Sequence, residues 1–239
     1  MGGILNVILQ RGSFLDILVC ILSSAIVVFL TLPIHEYAHG FAATKLGDPT
    51  PRYQGRMTLN PLAHLDYMGS VMIFLIGFGW ARPVMVNSRY FKREKVDMAI
   101  TALAGPLSNI IVAFASMIVY SIIWFFVYIS GGSASVIVLV LAQIFQYIAI
   151  INISLAVFNL VPIPPLDGSK ILAVVLPNRI YYKLMQYERY FSLIIMLLIV
   201  AGSTFSNVLS SLTYSIYTLL DTVAWFPFEL IISAMNGGI

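Results

Sequence analysis

Hydrophobic and polar positions separate along this chain in long blocks rather than in a short repeat. Residues 14–34 are apolar apart from Asp16, and no charge occurs across 98–129, 134–166 or 190–220. A hydrocarbon core of ~30 Å takes about 20 residues of helix. Each block is long enough to cross a bilayer, and the excess predicts tilt, protrusion or breaks. Gly105-Pro106 marks a break early in the second block, and Pro162, Pro164 and Pro165 end the third. The uncharged stretch from Tyr67 to Ala81 is too short to span comfortably. With Gly77, Gly79 and Pro83 it predicts a re-entrant or interfacial element, because irregular backbone at membrane depth needs cover from protein or access to water.

Two polar stretches predict extended structure. Residues 50–60 mix Thr, Tyr and Arg around Gly55 in the manner of a short β-hairpin, and ARPVMVN at 81–87 reads as a further extended segment. A small sheet at the membrane surface is expected from them. Asp221, Pro227 and Glu229 interrupt the end of the chain, so 207–235 is expected to form an interfacial or partly buried helix. The predicted fold class is an α-helical polytopic membrane protein, a helical bundle with a small membrane-surface β element and a short re-entrant segment. It reads as a single domain over 1–239, with a core at 14–176 and C-terminal helices at 188–235.

Composition sharpens this picture. Hydrophobic residues make up 60% of the chain and charged residues 10%, with a mean hydropathy of +0.94. A soluble domain carries about 25% charged residues, so water is not the medium for most of this surface. The N-terminus MGGILNVILQ lacks the basic region of a signal peptide, so the first apolar run is expected to stay as a helix. A net charge of +3 gives no reason to expect a nucleic-acid partner, but the placement of the charges is informative. Arg11 alone precedes the first block, while eight basic residues lie at 45–95 and four at 170–189. Positive loops stay cytoplasmic, which predicts 45–97 and 168–189 inside and the uncharged SGGSAS at 130–135 outside. The expected location is a multi-pass position in the cell membrane. Arg82 and the basic cluster at 89–95 are expected at lipid headgroups. Cys20 is the single cysteine, which excludes an intrachain disulfide and a thiolate metal site.

Candidate chemistry sits where the first block ends. In HEYAH at 35–39, His35 and His39 stand four residues apart and share one face of a helix. Two neutral imidazoles on one face can hold Zn²⁺, and Glu36 is placed to take a proton from the attacking water. A catalytic zinc takes a third protein ligand and keeps one position open. The best candidate is Asp167, the only acid between Asp97 and Glu188, which follows a 33-residue uncharged run. The three prolines before it prevent regular helix and free backbone groups to line a wet cavity. A structural reading of Asp167 is a helix N-cap. Asn109 and Asn152 read as polar contacts between helices, and Gly105 as a site of close helix approach. His64, the third histidine, reads first as an anchor of the NPLAHLD turn. Its sharper readings are a ligand in a resting state or a hydrogen-bond partner of one.

Taken together, HEYAH, AGPLSN at 104–109 and FNLVPIPPLDG at 158–168 resemble the site-2 protease family of intramembrane zinc metalloproteases. NPLAHLDYMG at 60–69 and FGWARPVMVN at 78–87 further resemble its compact bacterial branch without a PDZ or CBS domain. The resemblance covers about residues 20–175. It implies that His35, His39 and Asp167 hold one zinc, that Glu36 is the general base, and that Asn159 donates to the oxyanion or the substrate backbone. It implies a transmembrane protein as substrate, the lipid bilayer as setting, and an active site near the cytoplasmic side. Tyr67, Met85 and Ser169 depart from the usual pattern without touching a proposed ligand. Two other classes remain open at this point. A membrane zincin of another family would use Glu94 or Glu188 as third ligand, and a metal transporter would place polar ligands on several spans near the midplane.

Overall fold

The structure, a computed structural model, describes residues 3–77, 79–187, 190–191, 203–235 and 237. After a short helix α1 (Ile4–Leu9), one continuous rod runs through α2 (Phe14–Ile26), a π-helical turn (Val27–Thr31) and α3 (Leu32–Lys45). The lone charge of this block lies at its mouth. Ser13 and Asp16 form a capping box, in which the Asp16 carboxylate accepts from the Ser13 amide at 2.8 Å. The π turn has a cause two residues on. Pro33 has no N–H and would crowd the carbonyl four residues back in a regular helix. Widening the preceding turn, with the Leu32 amide bonded to the Val27 carbonyl, absorbs it. The rod thus carries His35, Glu36 and His39, all buried, into the bundle.

Three short helices follow: α4 (Thr50–Tyr53), α5 (Pro61–His64) and α6 (Tyr67–Ile76). Beyond them come α7 (Glu94–Ile129), α8 (Val136–Asn159), α9 (Asp167–Leu172), α10 (Asn178–Gln186) and α11 (Ser203–Met235). Among the described residues, four helices are long and apolar enough to cross a membrane: Phe14–Lys45, Glu94–Ile129, Val136–Asn159 and Thr204–Met235. Their outward positions are apolar too, Leu107, Ile111, Phe126, Ile137 and Leu219 among them, the inverse of a water-soluble surface. α7 packs against α3, α8 and α9 and so forms the wall shared by the ligand-bearing elements. One apolar cluster (Val27, Val28, Leu32, Ile73, Leu155) holds the π turn against α6 and α8, and another (Ala113, Met117, Ala149, Ile153, Val157, Ala224) joins α7, α8 and α11.

Two expectations are corrected. No strand occurs among the described residues, so the small β element is absent. At 50–53 the Asp48 carboxylate accepts from the Thr50 amide at 2.9 Å, and Pro51 in the first turn favours a helical start. Helix chemistry there overrides the β preference of Thr and Tyr. Residues 81–87 are extended, but their amides do not serve a ladder. Arg82 donates to the His64 carbonyl (2.8 Å), Val84 to Glu36 Oε2 (2.8 Å) and Asn87 to Asp48 Oδ2 (2.7 Å). The second correction concerns 207–235, expected as an interfacial or partly buried helix and found as part of a helix long and apolar enough to cross a membrane. Its many hydroxyls read as polar, yet Ser215, Thr218 and Thr222 donate to carbonyls four residues back (2.9–3.0 Å) and present an apolar rod. The span expected over 190–220 and the helix start at 188 fall partly outside the described residues.

The short apolar segment after Asp66 is the ten-residue helix α6, about 15 Å long. Asp66 caps it by accepting from the Gly69 amide at 2.8 Å, and Gly77 ends it with φ +77°. The returning chain then crosses it at backbone distance. A side chain on Gly69 would strike the Trp80 carbonyl, and one on Gly79 the Gly69 carbonyl.

Candidate metal centre

His35 and His39 project from α3 with their Nε2 atoms 3.1 Å apart. Asp167, first residue of α9, brings Oδ2 to 3.5 Å from His35 Nε2 and 3.1 Å from His39 Nε2. All three side chains are buried, and they form a group able to hold a metal ion. The route to this meeting is local. The turn after α8 lets α9 start against it, because Gly168 leaves room where any Cβ would strike the Leu160 and Val161 carbonyls. Ser169, which departs from the family pattern, uses its hydroxyl to donate to the Leu166 carbonyl at 2.7 Å. Lys95 at the start of α7 donates to the Leu176 carbonyl at 2.6 Å, which ties the chain beyond α9 to the wall.

The far side of each imidazole is fixed by α7. His39 Nδ1 lies 2.7 Å from the Thr101 carbonyl. A carbonyl only accepts, so this nitrogen carries a proton, and in the neutral ring Nε2 is then left with the lone pair. His35 Nδ1 lies 3.3 Å from Asn109 Oδ1, which selects the same tautomer. With both rings neutral, two lone pairs and a carboxylate oxygen converge within 3.1–3.5 Å, an arrangement that calls for a cation or a shared proton between them. Ligand atoms of a tetrahedral zinc with bonds of ~2.0–2.1 Å stand about 3.3 Å apart. The donor set and its spacing fit zinc. Gly105 on α7 makes the approach possible, since a Cβ there would collide with His39 Nε2 and crowd His35 Cε1.

Asp167 is ionised in this setting. Burial alone would raise its pKa, but the neighbouring His39 and His35 and the Lys170 ammonium outweigh it and hold the carboxyl well below the usual carboxylate range. Lys170 Nζ lies 3.4 Å from Oδ1, the oxygen turned away from the histidines. Glu36 is buried beside the pair, with Oε2 accepting from the Val84 amide at 2.8 Å.

Asn159 is half-buried at the end of α8, directly before the turn that leads to Asp167. His64 is buried but lies outside the ligand group, with Nε2 2.8 Å from the Thr58 carbonyl. Glu94 is also outside it, exposed and accepting from the Ser88 hydroxyl at 2.6 Å. Glu188 lies outside the described residues. Asn152 bridges helices, donating to Thr31 Oγ1 (3.4 Å) and the Ile148 carbonyl (2.8 Å). Sequence reasoning assigned the same bridging role to Asn109 and so missed its contact with His35. The available signal was a polar side chain within an uncharged span, which is a mark of function by default.

The four span-length helices among the described residues and a buried His-His-Asp group able to hold a metal ion point to a multi-pass membrane metalloprotein. The profile of Peptidase family M50, the site-2 protease family, matches residues 23–203, and the chain belongs to that family. It is a zinc metalloprotease. A Bacillus subtilis relative, YwhC, named as an inferred zinc metalloprotease, is 38% identical over 180 residues, which is 73% of this chain and 78% of the relative. Rip2 of Mycolicibacterium smegmatis, named likewise, is 27% identical over 147 residues, 58% of this chain and 51% of Rip2. The chain thus spans about half of Rip2 and most of YwhC. No solved structure matches it.

Proposed function

We propose that this chain is an intramembrane endopeptidase that hydrolyses peptide bonds in or near transmembrane segments of other membrane proteins. The observation that carries this reading is the convergence of His35, His39 and Asp167 inside a bundle of span-length helices. Zinc held by these three residues supplies Lewis acidity toward the scissile carbonyl and lowers the pKa of the attacking water. Glu36 accepts the proton of that water and returns it to the leaving amine. The Val84 amide at Oε2 holds its carboxylate in one orientation. Asn159 donates to the developing oxyanion. His64 anchors the NPLAHLD turn and does not ligate the metal. Buried ligands suit a substrate that arrives within the bilayer, where a helix must unwind before its carbonyls can be attacked. The basic residues at 45–95 and 170–189 support a site near the cytoplasmic face, with water entering from that side.

The test is cleavage in reconstituted vesicles. Zinc-loaded protein should cut a single-span polypeptide within or beside its apolar segment, with products read by mass spectrometry, and Glu36→Gln should not. Equal cleavage by the two forms, or cutting confined to soluble polypeptides, would overturn the reading.

A further inference from the structure

Most basic residues between α3 and α7 are exposed: Arg52, Arg82, Arg89, Lys92 and Arg93 all face outward. Arg56 differs. Its Nη1 is buried and has no hydrogen-bond partner. Arg82 stands near enough for its charge to act on Arg56. Burial first, and then Arg82, lower the Arg56 guanidinium from its usual pKa, while Glu36 acts in the opposite sense. Among the described residues, no acid lies within ion-pair distance of either arginine.

The two segments that carry these arginines are tied to the candidate active site by a defined scaffold. Met57, next to Arg56, packs on Gly40 of α3, one residue past His39, and Val84 packs on the same glycine. Val84 is two residues from Arg82 and gives its amide to Glu36. His64 joins the two segments. Its ring nitrogen Nε2 pairs with the Thr58 carbonyl at 2.8 Å, and its own carbonyl accepts from the Arg82 amide at 2.8 Å. Two like charges are thus brought together by hydrogen bonds that involve neither guanidinium. Arg82 is exposed, but the enclosed Arg56 Nη1 lacks an acceptor, and a guanidinium fork favours a carboxylate.

We infer that Arg56 and Arg82 form a specificity subsite for an acidic side chain of the substrate polypeptide, a few residues from the scissile bond. The inference rests on the proteolytic reading proposed above. A substrate is favoured over a lipid headgroup because the neighbouring Met57 and Val84 bind both segments to Gly40 and Glu36 and Arg56 Nη1 is enclosed. His64 acquires a part in this arrangement as a positioning residue for both arginines.

The experiment uses the full-length zinc-loaded protein in phosphatidylcholine vesicles. Its probes are single-span polypeptides that carry Asp, Asn or Lys at one position, scanned across the cleaved bond. At one position Asp should exceed Asn in kcat/KM by ~10-fold, the scale of one charge-assisted contact. That preference should shrink toward unity in Arg56→Gln and in Arg82→Gln. Arg56→Glu combined with Arg82→Glu should instead prefer Lys at the same position, a reversal that a purely structural role would not produce. An Asp-to-Asn ratio near one at every position, or a preference that survives the double Glu variant, would overturn the inference. So would rates on the uncharged probes that respond to added phosphatidylglycerol only when both arginines are present, without any Asp preference. The pair would then be a headgroup site. Proteolysis itself is read separately, on the Asn-containing probes against Glu36→Gln. Failure there sinks the reading of the function and the inference with it, whereas cleavage without charge preference sinks the inference alone.

Discussion

The metal-bearing end of the bundle and the C-terminal helix are both built on α7, yet they use that helix in opposite ways. At the metal end, Thr101, Gly105 and Asn109 face α3, and each contributes a polar contact or a missing side chain to the two histidines. Nearer the other end of the same helix, Ala113 and Met117 meet α8 and α11 through apolar packing alone. On α11 few side chains are buried, Thr213 and Ala224 among them, and its hydroxyls bond to its own backbone. One surface is specified atom by atom because lone pairs must converge, and the other is specified only by shape. Changes at the first should therefore alter zinc while leaving the bundle assembled. Changes at the second should do the reverse.

The largest effects test that division at its centre. His35→Ala, His39→Ala and Asp167→Ala should each remove most of the zinc from purified protein, which should otherwise hold about one ion per chain, and abolish activity. Glu36→Gln should keep the metal and lose activity by 10²–10⁴-fold, the usual weight of a general base. Metal analysis beside the cleavage assay separates the two classes. Equal zinc in wild type and all three ligand variants would sink the assignment.

Gly105→Ala comes next and is the sharper probe. In a helix this change is ordinarily favourable by ~0.8–1 kcal/mol, so any loss must come from the added methyl group. Here that group would collide with His39 Nε2 and crowd His35 Cε1. Displacing the rings should weaken zinc by about 100-fold in chelator competition, the scale of a strained overpacked contact. Zinc affinity at the wild-type level would mean that α7 does not press on the site as described. Asn109→Ala should cost less, about 10-fold in zinc affinity, because His35 keeps its ligand atom and loses only the partner that orients it.

These predictions also mark what the sequence made legible. His35, Glu36 and His39 could be read because they belong to one helix, whose periodicity alone sets which side chains share a face. Asp167 could be read because a single acid after a long uncharged run is conspicuous. The orientation of the imidazoles was not legible. It depends on the register between α3 and α7, and one acceptor, the Thr101 carbonyl, is backbone and leaves no mark in the residue type. Gly105 was read as a point of helix approach, although what it approaches is a pair of imidazoles. The β element was misread because the extended segment 81–87 satisfies its amides with His64, Glu36 and Asp48, long-range partners that propensity does not register. Residues 207–235 read as interfacial because Asp221, Pro227 and Glu229 interrupt them, whereas the helix runs on through all three and its hydroxyls bond to its own carbonyls.

The smallest predicted effect lies at the polar contact between α8 and α11, where Gln146 Nε2 donates to the Tyr217 hydroxyl at 3.0 Å. Tyr217→Phe removes the acceptor and keeps the ring. In water, a buried amide left unpaired would cost about 1–3 kcal/mol. Within a bilayer the expected loss is smaller, ~0.6 kcal/mol, because a separated helix in lipid also finds partners for its polar groups. Tyr217 also packs against the cluster that includes Ala113, Met117 and Ala224, and its ring keeps those contacts in the variant. Unfolding in mixed micelles should therefore show a slight loss of stability. Zinc content and the rate on a single-span polypeptide should remain at wild-type values, because no step from Tyr217 to His35 or Asp167 passes through a shared hydrogen bond. A fall in zinc affinity comparable to that of Asn109→Ala would show that α11 reaches the metal through α7 and that the two faces of that helix are coupled.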